Sequence, residues 1–228
     1  MTDWLLVIDT ATSRIAVGAG RPDGTPILML TWPAGHRHGE LLLAGVEELM
    51  AATGLSRRSI AGVVVGTGPG AFTGLRVGLA TAKTLAHAQG IPIVGIGSGQ
   101  ALLEAAEAGR PGSTGPAEPV LVLPAGPRDR VEVRRGAPGR LLPGGTDPEV
   151  APGEFLVAVD LEGRAPVEAL ERGTTALEGL GAALLHLGSA RLAAGAGDNE
   201  ELLVPEYVTL PRGVGASRGA IAWSSDHP

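Results

Sequence analysis

The segment that most constrains this chain is a strand, a glycine-rich turn and a helix in direct succession. Ile60 to Val65 is a near-continuous apolar run, the pattern of a buried strand. It passes into Gly66-Thr67-Gly68-Pro69-Gly70-Ala71-Phe72-Thr73-Gly74-Leu75-Arg76-Val77-Gly78, and a helical pattern runs from about Thr73 to Ala88, stopping at Gln89-Gly90. Backbone N–H groups at such a junction, backed by the helix dipole, can receive an anion. The same glycines can instead serve a tight turn that lets the helix pack closely. No lysine lies in the segment, so it lacks the Lys-Ser/Thr pair of a nucleotide P-loop. Gly66-x-Gly68-x-x-Ala71 fits a dinucleotide fingerprint, but the next strand, Ile91 to Ile96, ends without the acidic residue that would hold a ribose.

The rest of residues 1–108 alternates around this unit. Trp4 to Ile8, Ile15 to Ala19 and Ile27 to Trp32 read as three strands of an antiparallel meander. A helix over His38 to Thr53 carries Leu42, Val46, Leu49 and Met50 on one stripe and stops at Gly54. A further helix covers about Gly99 to Ala108, giving the order βββαβαβα. Residues 109–117 form a Gly/Pro-rich connector. Beyond it, Val120 to Leu123, a hairpin around Arg130 to Arg135, Phe155 to Val159 and a helix over Thr174 to Ala194 repeat the order less completely. The expectation is an α/β chain of two lobes with mixed sheets, residues 1–108 and 118–228, the second ending in a loose tail.

Composition narrows the function classes. Eighteen Lys and Arg against 24 Asp and Glu leave a net charge of −6, which disfavours a main role on a phosphate backbone. Cysteine is absent, so disulfides, thiolate metal sites and cysteine nucleophiles are excluded. No basic segment precedes an apolar one at the N-terminus, and the uncharged runs at 59–75 and 87–103 are broken by Gly and Pro. An intracellular chain outside the membrane is the expectation.

Four features carry candidate chemistry. Gly74, Gly78, Ala82 and Ala86 recur every four residues and leave a bare stripe on one helix face, suited to close packing within the chain or against another chain. Asp9-Thr10-Ala11-Thr12-Ser13, at a strand-to-strand turn, offers a carboxylate, hydroxyls and amides that could hold a phosphate, or simply an ordinary hydrogen-bonded turn. His36 and His38 lack the spacing of a helical zinc pair and read as capping or interface residues. Arg130, Glu132 and Arg134 alternate along one strand and read as a solvated face, with a small-anion or RNA contact as the alternative. No Ser/His/Asp triad is assignable by spacing, and no metal site is expected.

The segment Gly68-Pro69-Gly70-Ala71-Phe72-Thr73-Gly74-Leu75-Arg76-Val77-Gly78 resembles the hallmark of the TsaB (YeaZ) family, differing chiefly by Ala71 for Ser. Asp9-Thr10-Ala11-Thr12, His38 and Pro92-Ile93-Val94-Gly95-Ile96 with Ser98 extend the resemblance over about 1–108, and Pro205-Glu206-Tyr207 is similar near the end. The resemblance implies a two-lobed fold of the acetate/sugar-kinase, chaperone and actin type. It also implies a non-catalytic subunit of the complex that forms threonylcarbamoyladenosine on tRNA. The implied partners are a TsaD-like catalytic subunit and a TsaE-like ATPase, with a homodimer when alone and tRNA met only through the complex.

By that resemblance, His38, Leu42, Val46, Phe72, Gly74, Arg76, Gly78, Ala82 and Ala86 would face the partner, and the small-residue stripe becomes an interchain contact. Asp9, Thr10, Thr12, Gly68 and Gly70 would be a vestigial phosphate site. No cofactor of the chain's own is implied; a complex interface is where an adenine nucleotide could bind weakly. Ala125 and Pro127 stand where the family has Asp and Arg, and Asp160-Leu161-Glu162 stands where a glycine-rich adenosine loop could follow Val159. A self-sufficient ATPase or kinase of the same fold is the rival reading; a peptidase is a third.

Overall fold

Five strands form the first sheet: β1 (Trp4–Asp9), β2 (Arg14–Gly20), β3 (Pro26–Pro33), β4 (Ile60–Gly66) and β5 (Ile93–Ile96). The structure, a computed structural model, describes residues 3–110, 117–144 and 146–208. Most of the connector (111–116) and the tail from 209 on therefore lie outside the described residues. The strand order is β3-β2-β1-β4-β5, antiparallel from β3 to β1 and parallel from β1 through β4 to β5. β1 is central and buried along its whole length, which is why its sequence reads as an unbroken apolar run.

Its alternating side chains feed two cores. Trp4, Leu6 and Ile8 pack with Leu42, Val46 and Leu49 of α1 (His38–Thr53) and Leu79, Ala82 and Ala86 of α2 (Phe72–Gln89). Leu5 and Val7 point the other way, toward α3 (Ser98–Ala108) and the long α4 (Val167–Ala193). Both α1 and α2 end as the sequence indicates, with Gly54 and Gly90 in the left-handed conformation that lets their amides reach back to the last turn.

The second sheet comprises β6 (Glu118–Pro124), β7 (Arg130–Val133), β8 (Arg140–Leu142) and β9 (Glu154–Ala158), in the order β8-β7-β6-β9, with only β6–β9 parallel. α3 and α4 sit between the sheets: one apolar cluster joins Leu5, Val7 and Val64 to Leu102, Leu121, Val157 and Leu184. Leu185 of α4 fills the space beside Gly20, and Val64 occupies the space over Gly188. No described helix is long and apolar enough to cross a membrane.

One expectation about the second half is corrected. α4 begins at Val167, seven residues before the expected start at Thr174. Gly173 suggests a break, yet a Cβ there would overlap the Ala158 carbonyl oxygen, so this glycine is what lets α4 touch the end of β9. Among the described residues no helix joins β8 to β9, where the first half carries α1. The second half thus repeats the order less completely, as the sequence indicates, with β8 at the edge position that β3 takes in the first sheet.

Candidate functional site

The turn after β1 and the glycine-rich segment after β4 close on each other. β1 and β4 are adjacent and parallel, so both C-terminal ends open at the same edge of the sheet, where α/β proteins place their ligand crevices. Ala71 N–H donates to the Ala11 carbonyl at 2.6 Å, and the Thr10 hydroxyl donates to the Gly74 carbonyl at 2.7 Å. A Cβ on Gly70 would overlap the Ala11 carbonyl, one on Gly74 the Thr10 carbonyl, and one on Gly78 the Thr10 hydroxyl. These glycines are spent on bringing the helix against the turn.

Asp9 is fully buried at the centre of this contact. Its Oδ1 accepts from Ala11 N–H at 2.9 Å, and its Oδ2 accepts from the Ser98 hydroxyl at 2.5 Å. Ser98 Oγ in turn accepts from Gly68 N–H at 3.0 Å. Burial pushes the Asp9 carboxyl above the ordinary aspartate value, and the bonds from Ser98 and Ala11 and the nearby His38 only partly offset it. Gly66 is required here as well, because a Cβ would overlap the Asp9 carboxylate. The carboxylate therefore staples β1, β4 and the start of α3 together instead of facing the crevice.

His38 supports the same turn from the other side. It is buried, and its Nε2 lies 2.9 Å from the Thr12 carbonyl, a geometry that requires a proton on that nitrogen. No side chain caps α1, so the capping role expected for this histidine is replaced by a tie to the turn. Ser13 supplies two further donors from the turn. Its N–H and its hydroxyl both donate to Asp160, at 2.6 Å to Oδ2 and 2.6 Å to Oδ1.

Seven of the nine residues expected to face a partner are internal. Leu42, Val46, Ala82 and Ala86 lie in the core cluster, His38 is buried on Thr12, and Gly74 and Gly78 sit on Thr10. The small-residue stripe is thereby corrected: it faces β1 of its own chain, since close approach to the Thr10 backbone needs the missing side chains. Phe72 and Arg76 differ. Arg76 is exposed, its guanidinium 3.8 Å from the centre of the Phe72 ring, and its Nε donates to the Tyr207 hydroxyl at 3.0 Å. The Tyr207 ring lies 5.1 Å from Phe72, and Glu206 N–H donates to the Thr67 carbonyl, so Pro205–Tyr207 is laid along the glycine-rich segment.

The second sheet corrects the solvated arginine face. Glu132 is buried, bonded by Arg134 Nε and Arg140 Nη2, each at 2.8 Å, and Arg134 also pairs with Glu154. Burial raises the Glu132 carboxyl, but the two arginines outweigh it and hold it below the ordinary glutamate value. Strand alternation alone could not find this, because β8, which brings Arg140, carries too short an apolar signal. Among the described residues no cluster of His, Asp and Glu has metal-site geometry.

A family model described as TsaD: tRNA N6-adenosine threonylcarbamoyltransferase matches residues 33–161, more than half of the chain. Haemophilus influenzae tRNA threonylcarbamoyladenosine biosynthesis protein TsaB is 34% identical over 103 residues, 45% of this chain and 42% of that protein. Its Escherichia coli namesake is 33% identical over 92 residues, covering 40% and 39%. An uncharacterized Mycobacterium tuberculosis protein is 40% identical over 94 residues, 40% of this chain and 44% of that protein. The matched region thus spans less than half the length of these curated relatives. Among solved structures, YeaZ from Pseudomonas aeruginosa superposes with a TM-score of 0.68 at 21% identity, covering 91% of this chain and 100% of that one. The fold is accordingly the two-sheet α/β fold of that structure, with mixed sheets as expected. The chain belongs to the family that the TsaD model describes.

Proposed function

We propose that this chain is a non-catalytic subunit of the cytoplasmic assembly that forms threonylcarbamoyladenosine on tRNA, pairing with a TsaD-type catalytic subunit. Asp9 carries the non-catalytic part. Both of its oxygens are bound inside the chain, and its neighbours Thr10, Gly70 and Gly74 are taken up by packing, so these groups act as structure. The tRNA context is supported by the likeness to the two TsaB proteins, whose names place them in threonylcarbamoyladenosine biosynthesis. With a net charge of −6, the chain meets tRNA through the assembly, which would also include a TsaE-like ATPase.

The partner face is the outer side of the first lobe, residues 1–108, with 118–228 as the second lobe. There Leu43 of α1 is 55% exposed, and Arg76 on the Phe72–Tyr207 aromatic pair is exposed on α2. An arginine held by aromatic rings is the kind of group that anchors interfaces. The same face closes a homodimer when the partner is absent. The experiment is co-purification with the TsaD-type subunit of the same organism, together with ATP turnover by the chain alone. Leu43→Glu with Arg76→Glu should abolish pairing while leaving the thermal midpoint of the lone chain in place. Pairing that survives both changes overturns this face, and sustained ATP turnover by the lone chain favours the kinase or ATPase reading.

A further inference from the structure

We propose that β3 is an assembly edge, pairing antiparallel with β3 of a second copy of this chain so that the two five-stranded sheets run on into one. Among the described residues β3 pairs with β2 alone, and its other side is the rim of the sheet. The register tells which backbone groups face out. Ala34 N–H donates to the Ser13 carbonyl at 2.9 Å, and Ile15, Val17 and Ala19 stand opposite Trp32, Leu30 and Leu28. Every second residue of an antiparallel strand turns its N–H and C=O to the same neighbour. Leu28, Leu30 and Trp32 therefore bond to β2, and Ile27, Met29 and Thr31 present their groups outward.

An edge of this kind invites another strand, and folded proteins blunt it with charge, proline or a covering element. Here prolines stand only at the two ends, Pro26 and Pro33, and Ile27-Leu28-Met29-Leu30-Thr31-Trp32 between them carries no charge. All of these residues are at least partly exposed, Ile27 to 40%. Helices lie on both faces of the strand: Trp32 fills the space over Gly45 of α1, and Met29 lies against Gly181 of α4.

The strand is complementary to itself. A two-fold axis at Met29 sets this residue opposite Met29 of the second copy, and Ile27 opposite Thr31. Each such pair exchanges two hydrogen bonds, so the outward N–H groups of Ile27, Met29 and Thr31 all find a carbonyl. Neither proline falls among these pairs. In the alternate pairs Leu28 meets Leu30 and Trp32 meets Pro26, apolar against apolar, which stabilises neighbouring strands. With no charge between the prolines, the symmetry brings no like charges together. The contact uses neither Leu43 nor Arg76, so it leaves the face assigned to the catalytic partner open.

The chain has no cysteine, so introduced thiols report this contact alone. Opposite residues of a hydrogen-bonded pair lie about 5.5 Å apart between Cα atoms, within reach of a disulfide. Ile27→Cys with Thr31→Cys in the full chain should give a covalent dimer under mild oxidation, reversed by reductant. Neither single variant should cross-link, because its two thiols lie roughly 13 Å apart along the paired strands. The unaltered chain gives a second reading that needs no variant to fold. As its concentration rises, amide exchange at Ile27, Met29 and Thr31 should slow by about tenfold or more, while Leu28, Leu30 and Trp32 stay protected throughout. Both measurements are repeated with Leu43→Glu and Arg76→Glu in place, which removes any dimer through the outer face of α1 and α2 and keeps the two readings apart. Exchange that does not depend on concentration overturns the proposal and leaves the edge to a foreign strand or to none. A folded double variant that forms no covalent dimer overturns it as well, and so does equal cross-linking by the single variants.

Discussion

Replacing Gly74 by alanine separates the two uses of a small-residue helix face by the sign of a stability change. If the stripe faced outward, Gly74→Ala would simply remove a poor helix former and stabilise the lone chain by up to about 1 kcal/mol. In the structure the new Cβ would overlap the Thr10 carbonyl, a backbone atom, with His38 Nε2 only 3.5 Å away on another side. Neither neighbour can swing aside, because His38 is tied to Thr12 and Thr10 is held through its hydroxyl to the Gly74 carbonyl at 2.7 Å. The first turn of α2 must therefore lift off β1. Overpacking of this kind costs about 1–3 kcal/mol, and the strained Thr10–Gly74 hydrogen bond adds about 1 kcal/mol. Against the helix gain, the net loss is about 2 kcal/mol, or roughly 4–8 °C in the midpoint for a chain of this length. Calorimetry or urea unfolding of the isolated chain reads it directly. An unchanged or raised midpoint would refute the packing argument and return the stripe to a partner. By the same reasoning Gly78→Leu should damage the lone chain itself, so loss of pairing in that variant would carry no information about the interface.

The other expectations concern the buried carboxylates. Asp9→Ala should cost about 2 kcal/mol, because Ala11 N–H and the Ser98 hydroxyl lose their shared acceptor. Burial raises the folded Asp9 above its ordinary value of 3.8, so the folded chain keeps this proton to higher pH than the unfolded one. Its contribution is then most favourable below that value and is lost as pH climbs through the raised one. Asp9→Asn should flatten that decline, seen as a weaker fall of the midpoint with rising pH above about 4. Glu132 works in the opposite sense. Its folded value is depressed below 4.5, so its contribution is present above that value and is lost as pH falls through the depressed one. Glu132→Gln should remove that acid-side loss and lower stability near neutral pH by about 1–2 kcal/mol, since Arg134 and Arg140 are partly exposed and rehydrate.

The first half was legible because its signals are local. Continuous apolar runs marked β1 and β4, and Gly54 and Gly90 punctuated the helices. The Asp9 turn and the glycine-rich segment could be singled out for their residue types. What the sequence could not supply was direction. A stripe of Gly74, Gly78, Ala82 and Ala86 says that something comes close, and the same bare surface suits a strand turn or a foreign helix. Thr10, which fills it, lies 64 residues from Gly74. The clasp between Ser13 and Asp160 escaped for the same reason, its partners lying 147 residues apart, whereas the burial of Glu132 escaped because β8, which brings Arg140, is only three residues long. In the second half the start of α4 is hidden because Gly173 carries a glycine's helix cost, whereas its gain is the approach of α4 to Ala158.

The most direct test of the central claim is reconstitution of threonylcarbamoyladenosine on tRNA with the TsaD-type subunit of the same organism, with and without this chain. Nucleoside analysis of the tRNA is read beside ATP turnover by the chain alone. The account requires the modified adenosine to depend on this chain, and the chain alone to hydrolyse no ATP. Equal modification in its absence, or sustained hydrolysis by the isolated chain, would contradict it.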